Sequence, residues 1–150
     1  MTPQKIILHH SLTKDGRTVS WGAIRRYHTE TLGWTDIGYQ WGLELINDHY
    51  EILFGRMSND GSLSVGAHTL GQNDRSIGVL FVGNFDLHEV PPEQWLLGIK
   101  LVRWLMVTYH IPAREIYGHR DFAGYKSCPG KKFDVDMFRL NILNWDQRLE

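Results

Sequence analysis

A single α/β domain is predicted, built on a central mixed β-sheet of about five strands flanked by three main helices. Three observations carry that expectation. Segment types follow the order β, α, β-hairpin, β, α, β, α. The runs from Lys5 to His9 and from Ser76 to Val82 are almost continuously apolar, as strands covered on both faces are. Other stretches repeat apolar residues at helical spacing and begin or end on capping residues.

Taken in order, Lys5 to His9 reads as a short buried strand rich in isoleucine and leucine, and Thr13 to Thr18 as a polar loop. Ser20 is a helix-capping type. The helix it would start runs from about Trp21 to Leu32, with Trp21, Ile24, Tyr27 or His28, and Thr31 on one face, and Gly33 stops it. Tyr39 to Ile46 and Tyr50 to Arg56 are β-rich and separated by Asn47-Asp48-His49, which predicts a hairpin. Ser76 to Val82 is the second buried strand. Pro91 and Pro92 suit the first turn of a long helix to about Tyr109, whose inward stripe is predicted as Trp95, Ile99, Val102 and Met106. Ile111-Pro112 ends it. Glu115 to Gly118 forms a short strand, His119 to Lys132 a loop, and Asp134 caps a last helix to about Trp145.

With 150 residues the chain can bury a full core without a covalent staple. Residues 1–150 read as one domain, without repeat, linker or low-complexity tract. Sixteen basic and seventeen acidic side chains leave a formal net charge of -1, so the basic excess of a nucleic-acid or anionic-membrane binder is lacking. No apolar run reaches the length of a membrane span. Met1-Thr2-Pro3-Gln4-Lys5 leads straight into the first strand, without the pattern of a secretory signal. Synthesis in the cytosol is therefore expected, with any export by another route.

One cysteine stands against eight histidines. A lone cysteine forms no intramolecular disulfide, so Cys128 is either a small buried hydrophobe or a chemical residue. His119 lies nine residues upstream in Gly-His-Arg-Asp-Phe-Ala-Gly-Tyr-Lys-Ser-Cys-Pro-Gly. A histidine at a strand end and a cysteine in the following loop can converge on one ion. An open catalytic zinc site needs three protein ligands, and His9, at the end of the first strand, is the candidate for the third. Two imidazoles and a thiolate suit zinc. The spacing is not one of the tight ligand patterns, so a core thiol and a hydrogen-bonded histidine remain the alternative on these residues alone.

Five stretches in order resemble the zinc-dependent N-acetylmuramoyl-L-alanine amidases, which share a fold with phage lysozyme-type amidases and peptidoglycan recognition proteins. They are Ile6–Ser11, Trp34–Trp41, Val65–His68, Asn73–Val79 through Val82–Phe85, and the loop from His119 to Pro129. The resemblance implies one zinc ion per chain on His9, His119 and Cys128. It implies catalytic roles for Tyr39 and Lys126. The reaction it implies is hydrolysis of the amide between N-acetylmuramic acid and L-alanine in bacterial peptidoglycan. Lys126 would face the tetrahedral oxyanion, and Tyr39 would orient water or relay a proton. Relatives that only recognise peptidoglycan commonly lack the cysteine, so its presence favours an enzyme.

The resemblance also puts His68, Trp34, Asn73 and Arg120 forward as candidate substrate contacts, with turn, core or ion-pair roles as their alternatives. His10, next to His9, would point to the opposite face. Trp41 is expected in the core. His28, His49, His88 and His110 have no ligand-like company. Relatives often carry Asp-Gly at the hairpin, and His49 there predicts a longer or differently shaped loop. The context implied is a phage or prophage endolysin: a monomer without a separate wall-binding module, reaching the wall after membrane permeabilisation. Two other readings are a peptidoglycan-binding module without catalysis and a zinc peptidase cutting another stem-peptide bond.

Overall fold

The computed structural model describes residues 1–13 and 21–145. Five strands form one sheet: β1 (Lys5–His10), β2 (Trp41–Ile46), β3 (His49–Phe54), β4 (Ser76–Phe81) and β5 (Ile116–Gly118). The helices are α1 (Trp21–Arg26), α2 (Pro92–Tyr109) and α3 (Val135–Leu143). The strand order is β3-β2-β4-β1-β5. Strands β2, β4, β1 and β5 run parallel, and β3 pairs antiparallel with β2 at one edge. The mixed sheet and the order of elements are those the sequence predicts.

The continuous apolar runs sit where that reading requires. Both β1 and β4 lie inside the sheet, with Ile6, Ile7, Leu8, Ile77, Val79, Leu80 and Phe81 fully buried. Alternation divides them between two faces. Ile6, Leu8, Ile77, Val79 and Phe81 join the main core with α2 and α3. Leu80 belongs to a smaller cluster with Trp21, Ile37 and Val82. His9 therefore emerges on the α1 side, and His10 on the helix-covered side, stacked on Phe85 with ring centroids 6.0 Å apart. Trp41 packs in the core against Phe54 and Trp104.

Four local expectations are corrected. The first helix is α-helical only to Arg26. A π turn over Tyr27–Thr31 follows, in which the Leu32 N–H bonds the Tyr27 carbonyl at 3.1 Å. The wider turn lets His28 Nδ1 accept the Gly38 N–H at 3.0 Å while the His28 carbonyl accepts the Trp34 N–H. Gly33, at φ 73°, ends the segment as expected. The predicted cap Ser20, and the predicted loop beyond Thr13, lie outside the described residues.

The inward face of α2 is rotated from the predicted stripe. Gln94, Gly98, Ile99, Leu101, Val102 and Leu105 are buried, and Trp95 and Met106 pack at the margin. Gly98 allows close approach to the sheet, and the Gln94 amide donates to the Leu43 and Val82 carbonyls at 3.1 Å each. The hairpin turn is only Asn47-Asp48, not a longer loop. Asn47 takes the left-handed conformation at φ 59°, and His49 is already in β3. Asp134 does cap α3, accepting the Met137 N–H at 2.9 Å, a contact of about 1 kcal/mol. The helix nevertheless stops at Leu143, short of Trp145.

The α2 contact yields a direct test. A Cβ on Gly98 would lie 2.5 Å from Phe81 Cζ. Gly98→Ala should destabilise the fold by about 1–3 kcal/mol through overpacking, despite alanine's better helix propensity. Urea unfolding measures this, and an unchanged or raised midpoint would contradict the close packing of α2 on the sheet.

Candidate metal centre

The register of β1 against β5 brings two histidines side by side. Leu8 pairs with Gly118, so His9 on β1 and His119, the first residue after β5, are the next residues along adjacent parallel segments. Their ring centroids are 4.7 Å apart. After the 3-10 turn His119–Asp121, the chain returns, and the Arg120 N–H donates to the Cys128 carbonyl at 2.8 Å. Glycine at 118 keeps the return tight, because a Cβ there would lie 2.8 Å from Pro129 Cδ. One ligating atom each from His9, His119 and Cys128 then fall within 4.8 Å of one another.

The donor set suits a zinc ion. His9 Nδ1 lies 3.7 Å from Cys128 Sγ. Tetrahedral coordination at ordinary Zn–N and Zn–S lengths separates the two donors by about 3.6 Å. Burial, with the neighbouring His68, holds His9 well below the usual imidazole pKa. Burial, with Lys126 nearby, lowers His119 to about 4. Both rings are therefore neutral ligands at neutral pH. Burial raises the Cys128 thiol to about 11, against the pull of the His10 N–H 3.4 Å from its sulfur. Without a cation this thiol keeps its proton, and an ion between the imidazoles is the natural agent for releasing it.

The other nitrogen of His9 is held from behind. Nε2 lies 3.0 Å from His68 Nδ1 and 3.3 Å from Thr69 Oγ1. With Nδ1 turned to the donor set, Nε2 carries the hydrogen and His68 Nδ1 accepts it. His68 is itself buried, and burial lowers its pKa to about 3. Gly78 on β4 makes room for its ring, since a Cβ there would lie 2.6 Å from His68 Cγ. Asn73 Oδ1 accepts the His68 and Thr69 N–H groups, each at 2.9 Å, and so shapes the loop behind His9.

Tyr39 closes the other side, its ring centroid 5.1 Å from that of His9. Burial, and then the nearby Cys128, raises its phenol above the usual value, so it stays protonated at neutral pH. Its backbone is fixed by the Arg56 N–H, which donates to the Tyr39 carbonyl at 2.8 Å. Arg56 also binds the carbonyls of Asp36, Ile37 and Val65, fastening the loops on both sides of the site. Exposed Lys126 lines the same cleft. Among the described residues no carboxylate forms an ion pair with it.

The cleft has two lobes. One, of about 650 Å³, runs from His9, His119 and Cys128 past His10, Leu12, Tyr27 and His28. The other, of about 460 Å³, runs past Thr69, Leu70, Asn73 and Phe122. Trp34, Ala67, His68, His119, Tyr125 and Lys126 border both. Thus His68, Trp34 and Asn73 all reach the cleft. Arg120 is committed elsewhere: its guanidinium donates to the carbonyls of Ser127, Gly130 and Phe133, at 3.3, 2.7 and 2.7 Å. Its side chain meets these carbonyls and not Asp121, the ion-pair partner expected as one of its two roles. Asp121 accepts the Gly118 N–H at 2.9 Å.

Sequence reading missed three contributors. His28 lines the cleft, its ring tilted against that of Trp34 with centroids 4.6 Å apart. Arg56 and Thr69 act through the loops. Only Thr69 had a signal, its place beside His68.

Residues 1–131 match the family described as N-acetylmuramoyl-L-alanine amidase. The chain belongs to this amidase family. The endolysin of Enterobacteria phage T3 is 34% identical over 140 residues, which cover 89% of this chain and 83% of that one. Peptidoglycan-recognition protein SC2 of Drosophila simulans is 31% identical over 134 residues, covering 83% of this chain. This chain spans just 66% of that relative's length. Among solved structures, the N-acetylmuramoyl-L-alanine amidase LysC from Clostridium intestinale URNW superposes with a TM-score of 0.79 at 29% identity, covering 94% of this chain and 85% of that one. The fold and the five sequence stretches thus agree on one family.

The buried imidazoles predict that the metal-free protein is acid-sensitive. Unfolded histidines take protons near 6.5, whereas in the fold His68 and His119 stay neutral down to about 3 and about 4. The unfolded chain binds more protons across that window, so stability should fall as pH drops from 6.5 towards 4. Urea midpoints measured with chelator present should decline over this range, less steeply in His68→Gln. A midpoint independent of pH would contradict neutral buried rings.

Proposed function

We propose that this chain is a zinc-dependent peptidoglycan amidase that hydrolyses the bond between N-acetylmuramic acid and L-alanine. The observation that carries the reading is the convergence of His9, His119 and Cys128 in a cleft also lined by Tyr39 and Lys126. Zinc held by these three ligands supplies Lewis-acid polarisation of an amide carbonyl and activation of water. Lys126 offers positive charge where the carbonyl oxygen becomes an oxyanion. Tyr39, protonated, donates a hydrogen bond to water or carbonyl oxygen and is unsuited to act as a base. His68 and Thr69 keep the His9 ring oriented.

The two-lobed cleft supports the substrate class. A scissile amide with glycan on one side and peptide on the other has two arms, and the lobes meet at Lys126 and His119. The phage relative named endolysin supports a role in wall lysis. No helix among the described residues is long and apolar enough to cross a membrane. The relatives named for peptidoglycan recognition support binding without cleavage as the second reading.

Purified sacculi separate these readings. The amidase reading expects new N-terminal alanine without new reducing ends, and one zinc per chain by elemental analysis. Cys128→Ser should lose metal and cleavage together. Lys126→Ala should retain metal while turnover falls about 100-fold to 1000-fold. Binding of wall fragments by a metal-free parent that never cleaves them would establish the second reading, and products cut elsewhere in the stem peptide would indicate a zinc peptidase.

A further inference from the structure

The segment after β4 grips the cysteine loop at several points. Asp86 Oδ2 accepts the Ser127 hydroxyl at 2.9 Å, and its Oδ1 accepts the Lys131 N–H at 2.9 Å. These partners flank Cys128 on both sides. The Phe85 carbonyl accepts the Lys132 N–H at 2.8 Å, and a Cβ on Gly130 would lie 2.6 Å from Phe85 Cβ. The Phe85 N–H in turn donates to His10 Nδ1 at 3.1 Å, and the His10 N–H points at Cys128 Sγ. A closed circuit therefore runs from Asp86 to the cysteine loop, through the sulfur to β1, and back to Phe85.

We propose that Asp86 is a positioning residue for the metal centre, fixing the distance of Cys128 from His9 by clamping Ser127 and Lys131. This rests on the zinc reading above. Asp86 touches neither ligand atom. Its effect is exerted through the backbone on both sides of Cys128, the one ligand carried by an irregular loop. His9 lies within β1, paired with Leu80 of β4, and His119 directly follows β5, whereas Cys128 depends on side-chain tethers: Asp86 from one side and Arg120 from the other. Losing the carboxylate frees Ser127 and the Lys131 N–H together. The loop can then move the sulfur away while the strands stay in place.

The test compares the parent with Asp86→Ala, Asp86→Asn and Ser127→Ala. Zinc affinity by chelator competition should fall about 10-fold to 100-fold in Asp86→Ala, the range for groups that orient metal ligands. The thiolate-to-metal absorption of the cobalt-substituted protein should weaken in parallel. In metal-free protein, the Lys131 amide should exchange faster with solvent in Asp86→Ala, at unchanged far-ultraviolet circular dichroism. Asp86→Asn, which keeps an oxygen for Lys131, should recover most of both, and Ser127→Ala should fall between. Parent-like zinc affinity and Lys131 protection in Asp86→Ala would overturn the clamp alone. A parent that binds no zinc would overturn the zinc reading instead, and amide exchange would still decide whether Asp86 holds the loop.

Discussion

Parallel pairing of β1 with β5 sets the geometry on which the site depends. Leu8 lies opposite Gly118, so His9, still within β1, and His119, the first residue past β5, stand side by side and their imidazoles meet. A strand has a period of two, and a slip of one residue would turn His9 towards the helix-packed core and away from His119. What prevents the slip is apolar. Ile6 and Leu8 belong to the core under α2 and α3, and exchanging them for Ile7 and His9 would put an imidazole in the place of Leu8 in that apolar cluster. The site's geometry is thus enforced by residues on the opposite face of the same strand.

A second layer of order comes from side chains that bind backbone. Arg56 gathers the carbonyls of Asp36, Ile37 and Val65, and Arg120 those of Ser127, Gly130 and Phe133. Asn73 and Asp86 do the reverse and accept N–H groups. Loops at strand ends have no ladder to satisfy their polar groups, so these contacts stand in for one. They also explain why charged residues near the cleft are not all available to a ligand.

Much of the fold was legible in the sequence because its signals are local. Apolar runs marked β1 and β4, Pro92 and Asp134 marked helix starts, and Gly33 marked a helix end. Period alone could not show which face of α2 turns inward, because Gly98 owes its burial to Phe81 and Leu43, both distant in sequence. The π turn after Arg26 answers to Gly38, ten residues beyond His28, and no pattern within the segment announces it. For the metal centre, residue type and family resemblance named His9, His119 and Cys128. Their mutual approach, and the roles of His68, Asn73 and Arg120, depend on which backbone groups lie nearby once the sheet has formed.

The pairing of Leu8 with Gly118 also has a kinetic side. It joins residues about 110 positions apart, among the costliest closures this topology demands. Strands β2 and β3 need only a two-residue turn to meet, whereas the whole of α2 lies between β1 and β5 in the chain. The three candidate ligands are scattered along the sequence and come together only where this seam is closed. Retention of an ion by all three would therefore report on the completed sheet more faithfully than any measure of helix content.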